Sequence, residues 1–308
     1  MTSIAIVGAN GRLGQAATLA FHQAGYRVIA VSRNGNLNLP VGIEQRAANA
    51  LNQAALIQAT TGAELILNAL NPPYARWQSE VLTLGRNVLA AAKAHQATHL
   101  FIGNVYNYGT QIPAQITPNT LFQADHLLAQ VRVDLETLFK QAAIDQQVQT
   151  LIIRAGDFYG ASQGTWIDLA LLRDLKKGRF TYPSKHWEIP HAWAYLPDLA
   201  QAFVALAQQA PKLPMFAQWL FAGHNFTGEQ LLTLSENYLG KPLKRAPTPW
   251  GLFKVLGVVN KNFKLLTSMR YLWDKPHQLI DTRLETWNFI ATPSELAYQQ
   301  TLQILKLS

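Results

Sequence analysis

The sequence predicts an α/β protein with a doubly wound parallel sheet, and three observations near its start carry that prediction. A short apolar run, Ser3-Ile4-Ala5-Ile6-Val7-Gly8, ends in glycine and reads as a buried parallel strand. After it, Leu13, Ala17, Ala20, Phe21 and Ala24 recur at helical spacing, and Gly25 supplies a stop. Tyr26-Arg27-Val28-Ile29-Ala30-Val31 then reads as a second strand, which completes one βαβ unit.

Between the first strand and the helix lies Gly8-Ala9-Asn10-Gly11-Arg12-Leu13-Gly14. Gly8 permits a tight turn, Gly11 lets backbone approach a pyrophosphate, and Gly14 lets helix and strand pack closely. The free N–H groups of the helix start would face the phosphates. This turn therefore predicts a Rossmann-type dinucleotide site. The second strand ends Val31-Ser32-Arg33-Asn34, without the Asp or Glu that would bond a ribose 2′-hydroxyl. Ser32 and Arg33, with Arg12 from the turn, suit a 2′-phosphate instead, so NADP(H) is the cofactor expected.

Composition narrows the alternatives. Hydrophobic residues make up 49% and charged residues 14% of the 308, which indicates a folded globular chain. No run approaches the roughly 18–20 apolar residues of a membrane span. No basic region precedes a hydrophobic run at the N-terminus, so a secretory signal is not expected and a cytoplasmic location is. The absence of cysteine excludes disulfides and thiolate chemistry, and the scattered histidines suggest no metal site. The net charge of +8 comes with no nucleic-acid recognition motif. It suits a polyanionic cofactor, and neither nucleic acid nor membrane is expected as a partner.

The spacing GxxGxxG resembles the short-chain dehydrogenase/reductase superfamily, in its extended epimerase/dehydratase branch, and later segments extend the resemblance. Glu64–Leu70 is similar to the fourth strand, whose end, at Asn68, Ala69 and Leu70, the resemblance places beside the adenosine and ribose. Asn49 falls near the usual adenine-binding Asp. His99–Asn104 is similar to the fifth strand, followed by Tyr108-Gly109, and Thr150–Ile153 to the sixth. Arg154-Ala155-Gly156-Asp157-Phe158-Tyr159-Gly160 resembles the family's Arg-Pro-Gly-Asn-Val-Tyr-Gly, and Tyr195–Ala200 its His-Val-Asp-Asp-Leu-Ala, with Asp198 a helix cap. The resemblance implies a nucleotide-binding domain over 1–160 and 193–223, interleaved with a smaller substrate lobe over 161–192 and 224–308. It also implies a homodimer through helices around 78–95 and 123–142.

The catalytic pattern departs from the family. Such enzymes use a Ser with a YxxxK pair, whose Lys lowers the Tyr pKa so that it can pass a proton. Counting from Tyr108-Gly109 puts Asn104 at the Ser position, Leu128 at the Tyr position and Arg132 at the Lys position. Residues 109–158 contain no tyrosine, so no YxxxK exists there in any register. Asn104 can still bond a carbonyl or amide, and Arg132 can bond the cofactor ribose.

Two readings stay open. In one, the chain is an oxidoreductase or epimerase-type enzyme on a small carbonyl or hydroxyl substrate. Tyr106 then replaces the missing Tyr, since in an extended segment it points to the same side as Asn104. Tyr74, Trp77, Asp157 and Tyr159 are the substrate contacts expected. In the other, the chain binds NADP(H) without turnover and acts as a redox sensor through a protein partner.

The second lobe is read more coarsely. Residues 164–175 suggest a helix over the cleft, Thr227 caps a helix ended by Gly240, and 292–295 start the last helix. Trp250 to Trp273 is apolar and basic, which suits either a membrane surface or two helices packed on the core. Gly257 and Asn260-Lys261-Asn262 break the run and favour the packed helices.

Overall fold

Side chains alternate along a strand, so one strand can feed two cores. In β1 (Ser3–Val7), Ile4 and Ile6 face one core while Ala5 and Val7 face the other. The computed structural model describes residues 1–306 apart from 146, 162, 163, 166 and 288. In it, β1 is central to a seven-stranded parallel sheet with β2 (Arg27–Ser32), β3 (Glu44–Ala47), β4 (Leu65–Asn68), β5 (Thr98–Gly103), β6 (Thr150–Arg154) and β7 (Phe216–Leu220). The order is β3-β2-β1-β4-β5-β6-β7, the doubly wound arrangement expected from the first βαβ unit.

Five helices cover the sheet: α1 (Arg12–Gln23), α2 (Gln53–Ala59), α3 (Trp77–His95), α4 (Leu127–Ile144) and α5 (Leu196–Gln209). Ala17 and Phe21 of α1 pack with Leu199 and Phe203 of α5 on one face. Leu56 of α2, Val88 of α3, and Leu135 and Phe139 of α4 fill the other. Helix α4 starts at Leu127, four residues later than expected, because His126 Nδ1 accepts from Ala129 N (3.3 Å) and caps it there. The pair at HxxxH spacing, His95 and His99, is split between the end of α3 and β5. His95 Nε2 bonds Ile57 O at 2.9 Å and His99 Nδ1 bonds Thr150 Oγ1 at 3.2 Å, so the two rings have separate partners.

Strand His191–Tyr195 pairs in parallel with Asp157–Tyr159 and antiparallel with His224–Phe226, forming a second sheet beside the first. Around it lie α6 (Gly228–Leu239), α7 (Trp250–Leu256), α8 (Lys261–Ser268), α9 (Tyr271–Asp274) and α10 (Ser294–Ile304). Thr227 caps α6 in a reciprocal box with Gln230, and Gly240 ends it at φ +64°. Residues expected to start a helix at 164 instead form a π-helical turn, Ile167–Leu171, and a 3-10 turn, Leu175–Lys177; Trp166 lies outside the described residues. Asp198 does not cap α5, which begins at Leu196. Its carboxylate accepts from Thr292 N and Oγ1, both at 2.8 Å, and so ties the C-terminal segment to the sheet domain.

Candidate cofactor and active site

From β1 the chain runs outward to β2, and from β4 it runs the other way to β5. A crevice opens where the order reverses, and here it is a cleft of about 420 Å³. The glycine turn forms one wall. Gly8 sits at φ +91°, where a Cβ would fall 2.9 Å from the Ala69 carbonyl oxygen. A Cβ on Gly14 would come within 2.8 Å of the Ala9 Cα and closer still to Gly8 O, so this glycine lets α1 lie on the strand. Gly14 is absent from the cleft lining, whereas Gly8, Asn10, Gly11, Arg12 and Leu13 all line it. No side chain caps the start of α1, so its first N–H groups remain directed at a ligand. A cradle that a Cβ would fill, under an uncapped helix start, fits a dinucleotide pyrophosphate.

The β2 end of the cleft is lined by Ser32, Arg33 and Asn49. Ser32 is buried and accepts from Gly35 N at 3.0 Å, which fixes the turn that presents the exposed Arg33. Arg76 and Glu80, one turn apart and paired at 3.0 Å, also line the cleft. The sequence reading missed this pair, although its i,i+4 spacing was visible. Among the described residues Glu80 is the one acid in the lining, against Arg12, Arg33, Arg76 and Arg132. Arg12 reaches across to the Gly164 backbone, where a Cβ would collide with its guanidinium.

At the inner end, Ala69, Leu70, Asn104 and Arg132 line the cleft. Asn68 does not; its side chain accepts from Leu70 N (3.2 Å), shapes the turn after β4 and borders a separate cavity of about 10 Å³. Arg132 is buried with its guanidinium 4.8 Å over the Trp77 ring and 5.4 Å from Phe101, and its Nε has no partner. Burial pulls its pKa below the usual arginine value while Glu136 pulls it up, and it stays a cation. An unsatisfied buried donor at this wall fits a polar ligand atom. Leu128, at the position expected for tyrosine, is wholly buried.

Asn104 is held by a buried ion pair that the sequence reading did not find. Arg154 Nη2 meets Glu136 Oε2 at 2.5 Å and Nη1 meets Oε1 at 3.1 Å, while Nη1 also donates to Asn104 O at 2.5 Å. Asn107 Nδ2 adds a bond to Glu136 Oε1 at 3.1 Å. The pair thus joins β6, α4 and the loop after β5.

Three expected contacts need correction. Residues 105–108 are not extended; Asn104 Oδ1 accepts from Tyr106 N (3.1 Å) and winds them into a 3-10 turn. That turn buries Tyr106 outside the lining of the cleft, with its hydroxyl 2.6 Å from that of the half-buried Tyr74. Burial first, then Tyr74 and Asp157, push the Tyr106 phenol well above its ordinary pKa. Trp77 is buried beneath Arg132 with its indole N–H donating to Pro72 O (2.9 Å), so it supports the wall and does not reach into the cleft. Tyr159 is fully buried, its hydroxyl held by His224 Nδ1. Asp157 remains partly open and bonds His191 Nε2 at 2.9 Å, with His191 stacked 4.3 Å from Trp273. That His191 would meet Asp157 across two strands is not readable from spacing.

Sheet order, glycine turn and cleft together define a dinucleotide-binding protein of the Rossmann type. More narrowly, the chain belongs to the NAD dependent epimerase/dehydratase family, whose model matches residues 4–215. Solved structures share the fold at low identity. UDP-glucose 4-epimerase from Brucella ovis, in complex with NAD, is 12% identical with a TM-score of 0.78, covering 100% of this chain and 98% of that one. UDP-glucose 4-epimerase from Bifidobacterium longum, in complex with NAD+ and UDP, is 14% identical at 0.76, covering 99% and 98%. dTDP-glucose 4,6-dehydratase from Bacillus anthracis, in complex with NAD, is 12% identical at 0.78, covering 99% and 97%. No curated protein matches the chain.

Proposed function

We propose that this protein binds NADP(H) and acts as an oxidoreductase or epimerase-type enzyme on a small carbonyl or hydroxyl substrate, with a proton donor different from the family's Tyr–Lys pair. The observation that carries the reading is the charge of the cleft. Arg33 follows the end of β2, and among the described residues lining the cleft arginines outnumber the single acid, the paired Glu80. A 2′-phosphate is favoured there and a bare ribose hydroxyl gains little.

The nicotinamide dinucleotide supplies or accepts hydride when bound. Gly8, Gly11 and the start of α1 would hold its pyrophosphate, Ser32 and Arg33 the 2′-phosphate, and Arg132 and Asn104 its inner half. Tyr106 Oη keeps its proton at neutral pH, because burial disfavours the phenolate. A neutral phenol can give a proton to a developing alkoxide but is a poor base. Tyr74 Oη, half-buried and 2.6 Å from Tyr106 Oη, is the outer hydroxyl of the pair and the one that would give the proton, with Tyr106 restoring it from behind. The pair therefore suits carbonyl reduction better than alcohol oxidation.

Consumption of NADPH on a panel of aldehydes, ketones and quinones tests this. Turnover on at least one member is expected, with kcat reduced about 100-fold in Tyr74→Phe, the lower end of what general acid–base groups contribute. Tight NADPH binding without turnover on any member would instead support the sensor reading.

A further inference from the structure

The helical pair α7 and α8 leaves an apolar tip that nothing in the fold covers. Its base is well rooted: Trp250 Nε1 donates to Pro183 O at 2.6 Å, while Leu265 and Met269 are buried. The two helices close on each other through Phe253 and Phe263, ring centroids 5.3 Å apart, with Gly257 against the Lys264 backbone. The apolar residues needed for packing are thus spent at the base and along the seam. Leu252, Val255, Val258 and Val259 remain 56%, 68%, 84% and 86% exposed. The expectation that both helices simply pack on the core holds for one side of the pair only. Four large aliphatics outward within eight residues cost solvation unless something covers them.

The charge around the tip indicates the cover. Lys and Arg occur along the whole chain, yet residues 237–273 hold seven of them and no Asp or Glu; of the seven, Arg245 and Arg270 pair with Glu229 and Asp274 outside that stretch. Lys254, Lys261 and Lys264 are exposed beside the aliphatics, and among the described residues none of the three is in an ion pair. An apolar protein partner would not call for a collar of free ammonium groups with no acid among them. Apolar side chains that enter the acyl boundary, ringed by lysines at headgroup level, match an anionic bilayer. No helix among the described residues is long and apolar enough to cross a membrane, so the contact is with the surface.

We propose that the α7–α8 tip docks this protein on anionic phospholipid membranes. The tip inserts Leu252, Val255, Val258 and Val259, and Lys254, Lys261 and Lys264 engage lipid phosphates. The docked face is continuous with the cleft rim: Asn262 Oδ1 of α8 accepts from Ala75 N at 3.1 Å, between Tyr74 and the cleft-lining Arg76. Docking would bring the candidate substrate side close to the bilayer.

Co-sedimentation of the full chain with vesicles tests it, using equimolar phosphatidylglycerol and phosphatidylcholine against phosphatidylcholine alone. Binding to the anionic vesicles at least tenfold stronger than to the neutral ones is expected, weakening as salt rises. The double variant Val258→Asp, Val259→Asp and the triple variant Lys254→Glu, Lys261→Glu, Lys264→Glu should each lose at least tenfold. Their thermal unfolding should match the parent, since all five side chains lie at the surface. Equal retention by both vesicle types, or unaltered binding in either variant, would overturn the proposal. So would a dimer, seen by sedimentation equilibrium, that the valine variant abolishes, because the tip would then be a self-interface.

Discussion

Glu136 and Arg154 have left water together, and each survives burial only because the other, with Asn104 O and Asn107 Nδ2, replaces its hydration. Removing one partner strands the other. Glu136→Ala should therefore lower unfolding free energy in urea by about 3–5 kcal/mol, and a loss below about 1 kcal/mol would show that the pair is dispensable. At this scale the sequence revealed residue types more readily than their directions. The glycines were readable because each answers a local backbone demand. Tyr106 was expected to carry the proton and Trp77 and Tyr159 to touch substrate, but which end of an aromatic meets solvent depends on neighbours distant in sequence. Leu128 is the instructive residue. Its failure as a proton carrier was evident from its chemistry, and its complete burial shows the position absorbed into the core.

Elements were legible where period and capping agree. The sheet strands carry apolar runs, and the α6 boundaries follow from Thr227, Gln230 and Gly240, all local signals. Thr227→Ala removes one half of the reciprocal cap while leaving the buried Leu231 and Leu232 in place. It should cost about 1 kcal/mol in denaturant melts, with Thr227→Ser restoring most of it. A loss of several kcal/mol would mean that Thr227 does more than cap. The turns at 105–108 and 167–171 were not legible. The first depends on Asn104 bonding back to Tyr106 N, a choice that competes with extended backbone and is not settled by spacing. The later start of α4 has a similar origin, since it is set by His126, whose ring also bonds Tyr271 Oη at 3.0 Å, 145 residues away.

For the whole molecule, sheet order fixes where a ligand goes, and charge fixes which ligand is favoured. The doubly wound order puts the crevice at β1 and β4, and the turn between β1 and α1 is shaped for a pyrophosphate. The sequence made the turn readable in its first thirty-five residues. It placed Arg132 of α4 at the cofactor through the resemblance, but could not show that Arg76, from the turn preceding α3, and Glu80 of α3 would converge on the same cleft. Calorimetric titration of the full chain with NADPH and NADH measures the cofactor preference proposed for this cleft. NADPH should bind at least tenfold more tightly than NADH, and Arg33→Ala should erase most of that ratio while leaving NADH affinity nearly unchanged. Equal or tighter binding of NADH, or a preference untouched by Arg33→Ala, would contradict the account.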